Sequence, residues 1–133
     1  MLLSDNFYAI IGQDEKNEDN GVVDCPVWKV NFIIKLNPEH PVYLGHFPGN
    51  PVVPGVCQIQ IIKELTSALL KTDLVIHKSD NIKFLSMIIP SALPLLHVNI
   101  DIKEKEPNSW NVNSVIVSQD KVFLKFKGVM RPV

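Results

Sequence analysis

One segment of the chain is fit to be a long helix, and it lies between runs that read as strands. From Pro54 onward Val56, Ile59, Ile62, Leu65 and Leu69 recur at spacings of three and four, with Ile61, Ala68 and Leu70 widening the apolar face. Lys63, Glu64 and Lys71 are the charged residues there, so the pattern predicts a mostly buried helix. Pro54 suits its first turn, where a missing N–H costs nothing. Upstream, Phe7 to Gly12 is a short apolar run fit for a strand, and the polar stretch Gln13 to Gly21, with its Asn20-Gly21 pair, predicts a solvated hairpin tip. Val27 to Leu36 then alternates Trp28, Val30, Phe32 and Ile34 with polar residues, as a strand does. Downstream, Asn81–Ile89, Leu93–Glu104, Ser109–Gln119 and Lys121–Met130 read as four strands, with turns at Pro107-Asn108 and Gln119-Asp120. One helix cannot cover both faces of about six strands. The sequence therefore predicts an α+β domain in which a curved antiparallel sheet wraps one long central helix.

The 133 residues make a single domain, 1–133, able to bury roughly two-thirds of its unfolded surface without disulfides or metal. A net charge of −1 argues against a general nucleic-acid binder, which needs surplus lysine and arginine to neutralise phosphates. Hydrophobic residues make up 46% of the chain, and apolar excess in a short chain fits burial between subunits, so an oligomer is expected. Cys25 and Cys57 are isolated and read as buried free thiols of a reducing cytoplasm. The N-terminus has no signal-peptide pattern, and no apolar run approaches the ~20 residues that span a bilayer. The expectation is a cytoplasmic protein without a membrane partner.

His40, His77 and His97 have no metal-ligand spacing and read as structural or solvated, so neither metal nor cofactor is predicted. Ser67 and Ser86 fall in a helix and a strand rather than a nucleophile elbow, against serine hydrolysis. The segment Asn37 to Val53 is the unusual one. It is too long for an ordinary connection and too apolar, with Val42, Tyr43, Leu44, Phe47, Val52 and Val53, to be disordered. It leads into the helix through Gly45-His46-Phe47-Pro48, with prolines at every third position (Pro48, Pro51, Pro54), then Gly55-Val56. A PxxP ligand reading is disfavoured, because Val52, Val53 and Val56 would then have to be exposed.

This block, with the strand–loop–helix–sheet order around it, resembles the hotdog-fold β-hydroxyacyl-ACP dehydratases. Ile82 to Leu95 is similar to a further strand segment of that family. The resemblance covers nearly the whole chain and carries several implications. The fold is hotdog. The reaction is dehydration of a 3-hydroxyacyl thioester, carried on acyl carrier protein, in fatty-acid or polyketide-type synthesis. His46 is the general base, and an imidazole can both take and give a proton near neutral pH. A backbone N–H at the helix start, by Gly55 and Val56, binds the thioester carbonyl, where unpaired amides and the positive dipole end meet developing charge. Phe47, Pro54, Gly55, Val56, Cys57 and Glu64 are the substrate-binding candidates, and Phe84, Leu85 and Met87 would line an acyl tunnel. Lys63, Lys71, Lys78, Lys83 and Arg131 are candidate carrier-docking charges.

The chain departs from the family at Gln60, where the family has a catalytic carboxylate. Glutamine can orient a hydroxyl but cannot deliver a proton as a carboxylic acid does. Three arrangements remain open. His46 serves both transfers, with Gln60 positioning the hydroxyl. Alternatively Glu64, one turn on and about 6 Å farther along the axis, supplies the carboxylate. In the third, a paralogous partner supplies the acid to a site shared between subunits, as the family's sites are. Two further alternatives are a hotdog thioesterase and a non-catalytic acyl-binding subunit. Cys57, in the first helical turn where the dipole lowers a thiol pKa, is either a nucleophile or a small apolar lining residue.

Overall fold

The computed structural model describes residues 6–18, 27–45 and 52–133. In chain order these form β1 (Tyr8–Glu18), β2 (Val27–Leu36), a short helix α1 (Val42–Gly45), the long helix α2 (Gly55–Leu70), β3 (Leu74–Phe84), β4 (Leu95–Glu106), β5 (Ser109–Ser118) and β6 (Lys121–Pro132). The strands join in one antiparallel sheet of order β1-β2-β4-β5-β6-β3. β3 therefore pairs not with its neighbour in sequence, β4, but with β6 at the far edge. This is the hotdog arrangement that the resemblance implies.

The core is the inner face of the sheet closed over α2. Val30, Phe32, Ile34 and Leu36 of β2, Leu96, Val98, Ile100 and Ile102 of β4, and Val112 and Ile116 of β5 alternate inward. They meet Cys57, Ile61, Ile62, Leu65 and Leu69 of the helix. Each large aliphatic side chain buried this way stabilises the fold by about 1.5–3 kcal/mol relative to exposure. Two polar helix residues share the buried face: Thr66 Oγ1 donates to the Ile62 carbonyl at 2.8 Å and Gln58 Nε2 to the Val53 carbonyl at 3.2 Å, while Gln58 Oε1 is buried without a partner among the described residues.

The helix face differs from the one expected. Val56 is 73% exposed and Ile59 only partly buried, while Cys57, Gln58, Ile61, Ile62, Leu65, Thr66 and Leu69 face inward. Spacings of three rotate a stripe around a helix of 3.6 residues per turn, and the buried face instead follows the i, i+4 rows. Pro54 is the N-cap rather than a first-turn residue, and Lys71 ends the helix in the left-handed region at φ 53°.

Strand ends also move. β1 runs on to Glu18 instead of ending in a turn after Gly12, held by pairing with β2 and passing a bulge between Ile10 and Gly12. The expected Asn20-Gly21 turn and Cys25 lie outside the described residues. β3 begins at Leu74, seven residues before the expected start, and ends at Phe84, so Leu85 to Ile89 leave the sheet. There Ile88 is buried and accepts a backbone bond from Val53 (2.8 Å), tying this loop to the entrance of α2. The two predicted turns of the later strands are in place. Gln119 (φ 50°) and Asp120 (φ 63°) form a two-residue left-handed turn whose twist matches a hairpin, and Asn108 (φ 60°) follows Pro107 at the other.

Gly128 in β6 shows how tightly β3 is seated. A Cβ there would lie 2.5 Å from the Lys78 carbonyl oxygen and 2.9 Å from Phe126 Cζ, beside the β3 bulges. Since the first of these is backbone and cannot swing aside, Gly128→Ala is expected to destabilise the fold by about 1–3 kcal/mol. A lowered urea midpoint with unchanged m-value is the measurement that checks it.

Candidate active site

The start of α2 is built by Pro54. Its ring fixes φ at −59°, and with ψ 146° it turns the chain from extended into helix. The Pro54 carbonyl accepts from the amides of Cys57 (3.0 Å) and Gln58 (3.2 Å). Proline brings no side-chain cap, and among the described residues the first-turn amides of Gly55 and Val56 have no acceptor. The positive end of a sixteen-residue helix therefore presents two donors to whatever approaches it.

Gly55 lets the Phe84 ring approach the helix start closely. A Cβ there would come within 2.8 Å of Phe84 Cζ, because the ring lies directly on the glycine. Phe84 is half-exposed and, with Val56, Leu85 and Met87, belongs to the group of large apolar residues left open at this end of the molecule. Behind the helix start, Cys57 is 2% exposed, and burial raises its thiol pKa rather than lowering it. Desolvation works against a thiolate at this position, and Cys57 packs in the core as a small apolar side chain. Tyr43 is likewise buried, with its ring against Phe7 at 5.7 Å. Its hydroxyl pKa is raised, first by burial and then by Cys57, and that hydroxyl is without a hydrogen-bond partner.

One turn farther along, Gln60 and Glu64 are joined. Gln60 Nε2 donates to Glu64 Oε2 at 2.8 Å, and the second carboxylate oxygen, Oε1, accepts from the Tyr8 hydroxyl at 3.2 Å. Burial chiefly, then the Glu64 charge and this hydrogen bond, raises the Tyr8 pKa, so the phenol is a fixed neutral donor. The trio stands at an open groove of about 640 Å³ whose lining also includes Ile10, Lys63 and Lys71. Gly55, Val56 and Cys57 do not line this groove.

The structure thus unites Gln60 with Glu64, which the sequence offered as alternatives, and adds Tyr8, for which the sequence held no local signal because it lies 56 residues from its partner. His46 and Phe47 lie outside the described residues, as do Pro48 and Pro51. Among the other histidines, His40 is structural: Nδ1 accepts from the Val42 amide at 3.0 Å and the ring meets Phe7 edge-on. Of the candidate docking charges, Lys63 and Lys71 flank the groove, whereas Lys78 pairs with Asp80 at 3.3 Å. Among the described residues no group of histidine, cysteine and carboxylate side chains could hold a metal ion, and no helix is long and apolar enough to cross a membrane.

Comparison with known proteins bears on the same elements. Residues 24–127 match the model of a family described as ApeI-like, ApeI dehydratase. A 3-hydroxyacyl-[acyl-carrier-protein] dehydratase, FabZ, from Rickettsia massiliae is 23% identical over 77% of this chain and 83% of its own. Among solved structures, the dehydratase heterocomplex ApeI:P from Xenorhabdus doucetiae has the same fold, with a TM-score of 0.63 and 17% identity over 92% of this chain and 96% of that one. So does yhdA from Lactococcus lactis, provisionally assigned as a thioesterase, with a TM-score of 0.64 and 9% identity over 93% of each chain.

Proposed function

Since the chain belongs to the ApeI-like dehydratase family, we propose that it converts a 3-hydroxyacyl thioester, carried on acyl carrier protein, to the trans-2-enoyl thioester and water. The observation that carries this reading is the uncapped start of α2, reached through Gly45-His46-Phe47-Pro48 and Pro54. In this scheme the thioester oxygen takes hydrogen bonds from the Gly55 and Val56 amides, which stabilise the enolate-like charge formed when the C2 proton leaves. His46 accepts that proton. The C3–O bond then breaks, the C2=C3 double bond forms, and the hydroxyl departs as water with the proton returned by His46. Gln60 holds the hydroxyl by hydrogen bonding. Cys57 and Phe84 bound the substrate near the helix start, and Lys63 and Lys71 offer the carrier a positive rim.

A second reading is favoured by Gln60 itself: a heteromer in which a related chain supplies the carboxylic acid. The ApeI:P assembly, one chain of which has this fold, is a dehydratase heterocomplex. Either reading calls for a dimer, and β3 supports one. Among the described residues it is an edge strand paired only with β6, and it runs into the open apolar residues Phe84, Leu85 and Met87. Light scattering is expected to give a mass of at least twice 15.0 kDa, and a monomer would overturn the shared-site scheme.

The reaction is tested by incubating the protein with a 3-hydroxyacyl-ACP and following loss of water by mass spectrometry. Enoyl product from this chain alone supports the self-sufficient dehydratase. Product that appears only with an acid-bearing paralogue supports the heteromer. Release of free acid instead would assign thioester hydrolysis and overturn both.

A further inference from the structure

A carboxamide is planar, with its NH2 and its carbonyl oxygen on opposite edges, and the two edges differ only in hydrogen-bonding sense. Facing Glu64, the Gln60 amide has no such freedom. The carboxylate can only accept, so it takes the NH2 edge at 2.8 Å, and a half-turn of the amide would set two acceptors against each other. Glu64 can enforce this only if its own carboxylate is held. Tyr8 of β1 contributes to that hold from outside the helix, its hydroxyl donating to the other oxygen at 3.2 Å. Tyr8 is 3% exposed, so its ring does not swing, and its phenol stays protonated for the reason given above.

We propose that Tyr8 is a positioning residue: through Glu64 it fixes the Gln60 amide with its carbonyl edge turned away from the carboxylate, as the acceptor for the hydrogen of the substrate's 3-hydroxyl. Glu64 accordingly serves as an anchored anion rather than as the proton donor of the reaction. This rests on the dehydration reading, and it gives position 60 a defined polarity that the bare residue type lacks.

The test is a double-mutant cycle on the complete chain, with its partner subunit if turnover requires one. Tyr8→Phe is expected to lower kcat about fivefold, the scale of one hydrogen bond, with KM changed less than about twofold. In a Gln60→Ala background the same substitution should change kcat less than about twofold, because there is no amide left to orient. Equal losses in both backgrounds, or no loss in the first, would overturn the proposal. A second measurement needs no turnover. The Gln60 side-chain NH2 resonances should move in Tyr8→Phe and move farther in Glu64→Ala, and unchanged signals in both would overturn the positioning on their own. Absence of turnover from the wild-type protein, with or without a partner, would instead remove the dehydration reading and leave the resonances to decide the orientation.

Discussion

Gln60→Glu is expected to raise dehydration by the protein alone about a hundredfold, the lower end of what a positioned general acid contributes. The physical reason is the neighbour already in place. Gln60 Nε2 lies 2.8 Å from Glu64 Oε2, so a carboxyl introduced there meets an existing carboxylate at hydrogen-bond distance. Two such groups cannot both ionise, and the pair retains one proton well above the ordinary carboxylate range. Tyr8 already donates to Glu64 Oε1, so Glu64 keeps its role as acceptor and the introduced group faces it as the donor. The result is a carboxylic acid that is still protonated near neutral pH, at the position where the resemblance puts one. Two measurements check this. The gain in turnover should fade as pH rises and the shared proton is lost. Stability should follow the same sign: the pair's pKa is raised on folding, so relative to the parent the variant is most stable below the unfolded carboxylate pKa of about 4.3 and loses stability as pH climbs through the folded value. A folded variant with no gain in turnover would remove Gln60 from the reacting hydroxyl and favour a second subunit as the source of the acid.

His46→Ala is expected to cost at least about a hundredfold in kcat, because general acid–base help by one side chain is worth about 10²–10⁴ and here the same imidazole is asked to act twice. KM should change little, since the helix amides of Gly55 and Val56 and the apolar wall by Phe84 would still hold the thioester. Any limb of the pH–rate profile that His46 sets should be missing in the variant. Turnover within about tenfold of the parent would overturn the mechanism, whatever the fate of the fold.

How much of this was legible in the sequence follows from where each residue lies. β2 was read to its ends because Val30, Phe32 and Ile34 alternate against a single buried face, and the Gln119-Asp120 turn because those residues tolerate left-handed backbone. The outer half of β1 and the first half of β3 were missed for a common reason. Both are edge strands, and residues such as Gln13, Glu15, His77, Lys78 and Asp80 are exposed, so no apolar period marks them. A spacing of three puts Val56 in the core stripe, whereas the helix buries the adjacent i, i+4 rows and leaves Val56 outside. The site was half visible. The residues from His46 to Gln60 are close in sequence and carry a pattern, but the bond from Tyr8 to Glu64 exists only once β1 is folded against α2.

The free edge of β3 has a consequence for supply in the cell. Strand pairing is made largely of backbone hydrogen bonds, which are the same for every sequence. An edge that recruits a second chain this way tells its own copy from a paralogue's only through the few side chains that flank it, here Lys78, Asp80 and Lys83. Where two such chains are made together, the ratio of like to mixed pairs would then follow their relative amounts almost as closely as their affinities. Gene dosage, as much as any residue in the site, would set how much complete enzyme there is.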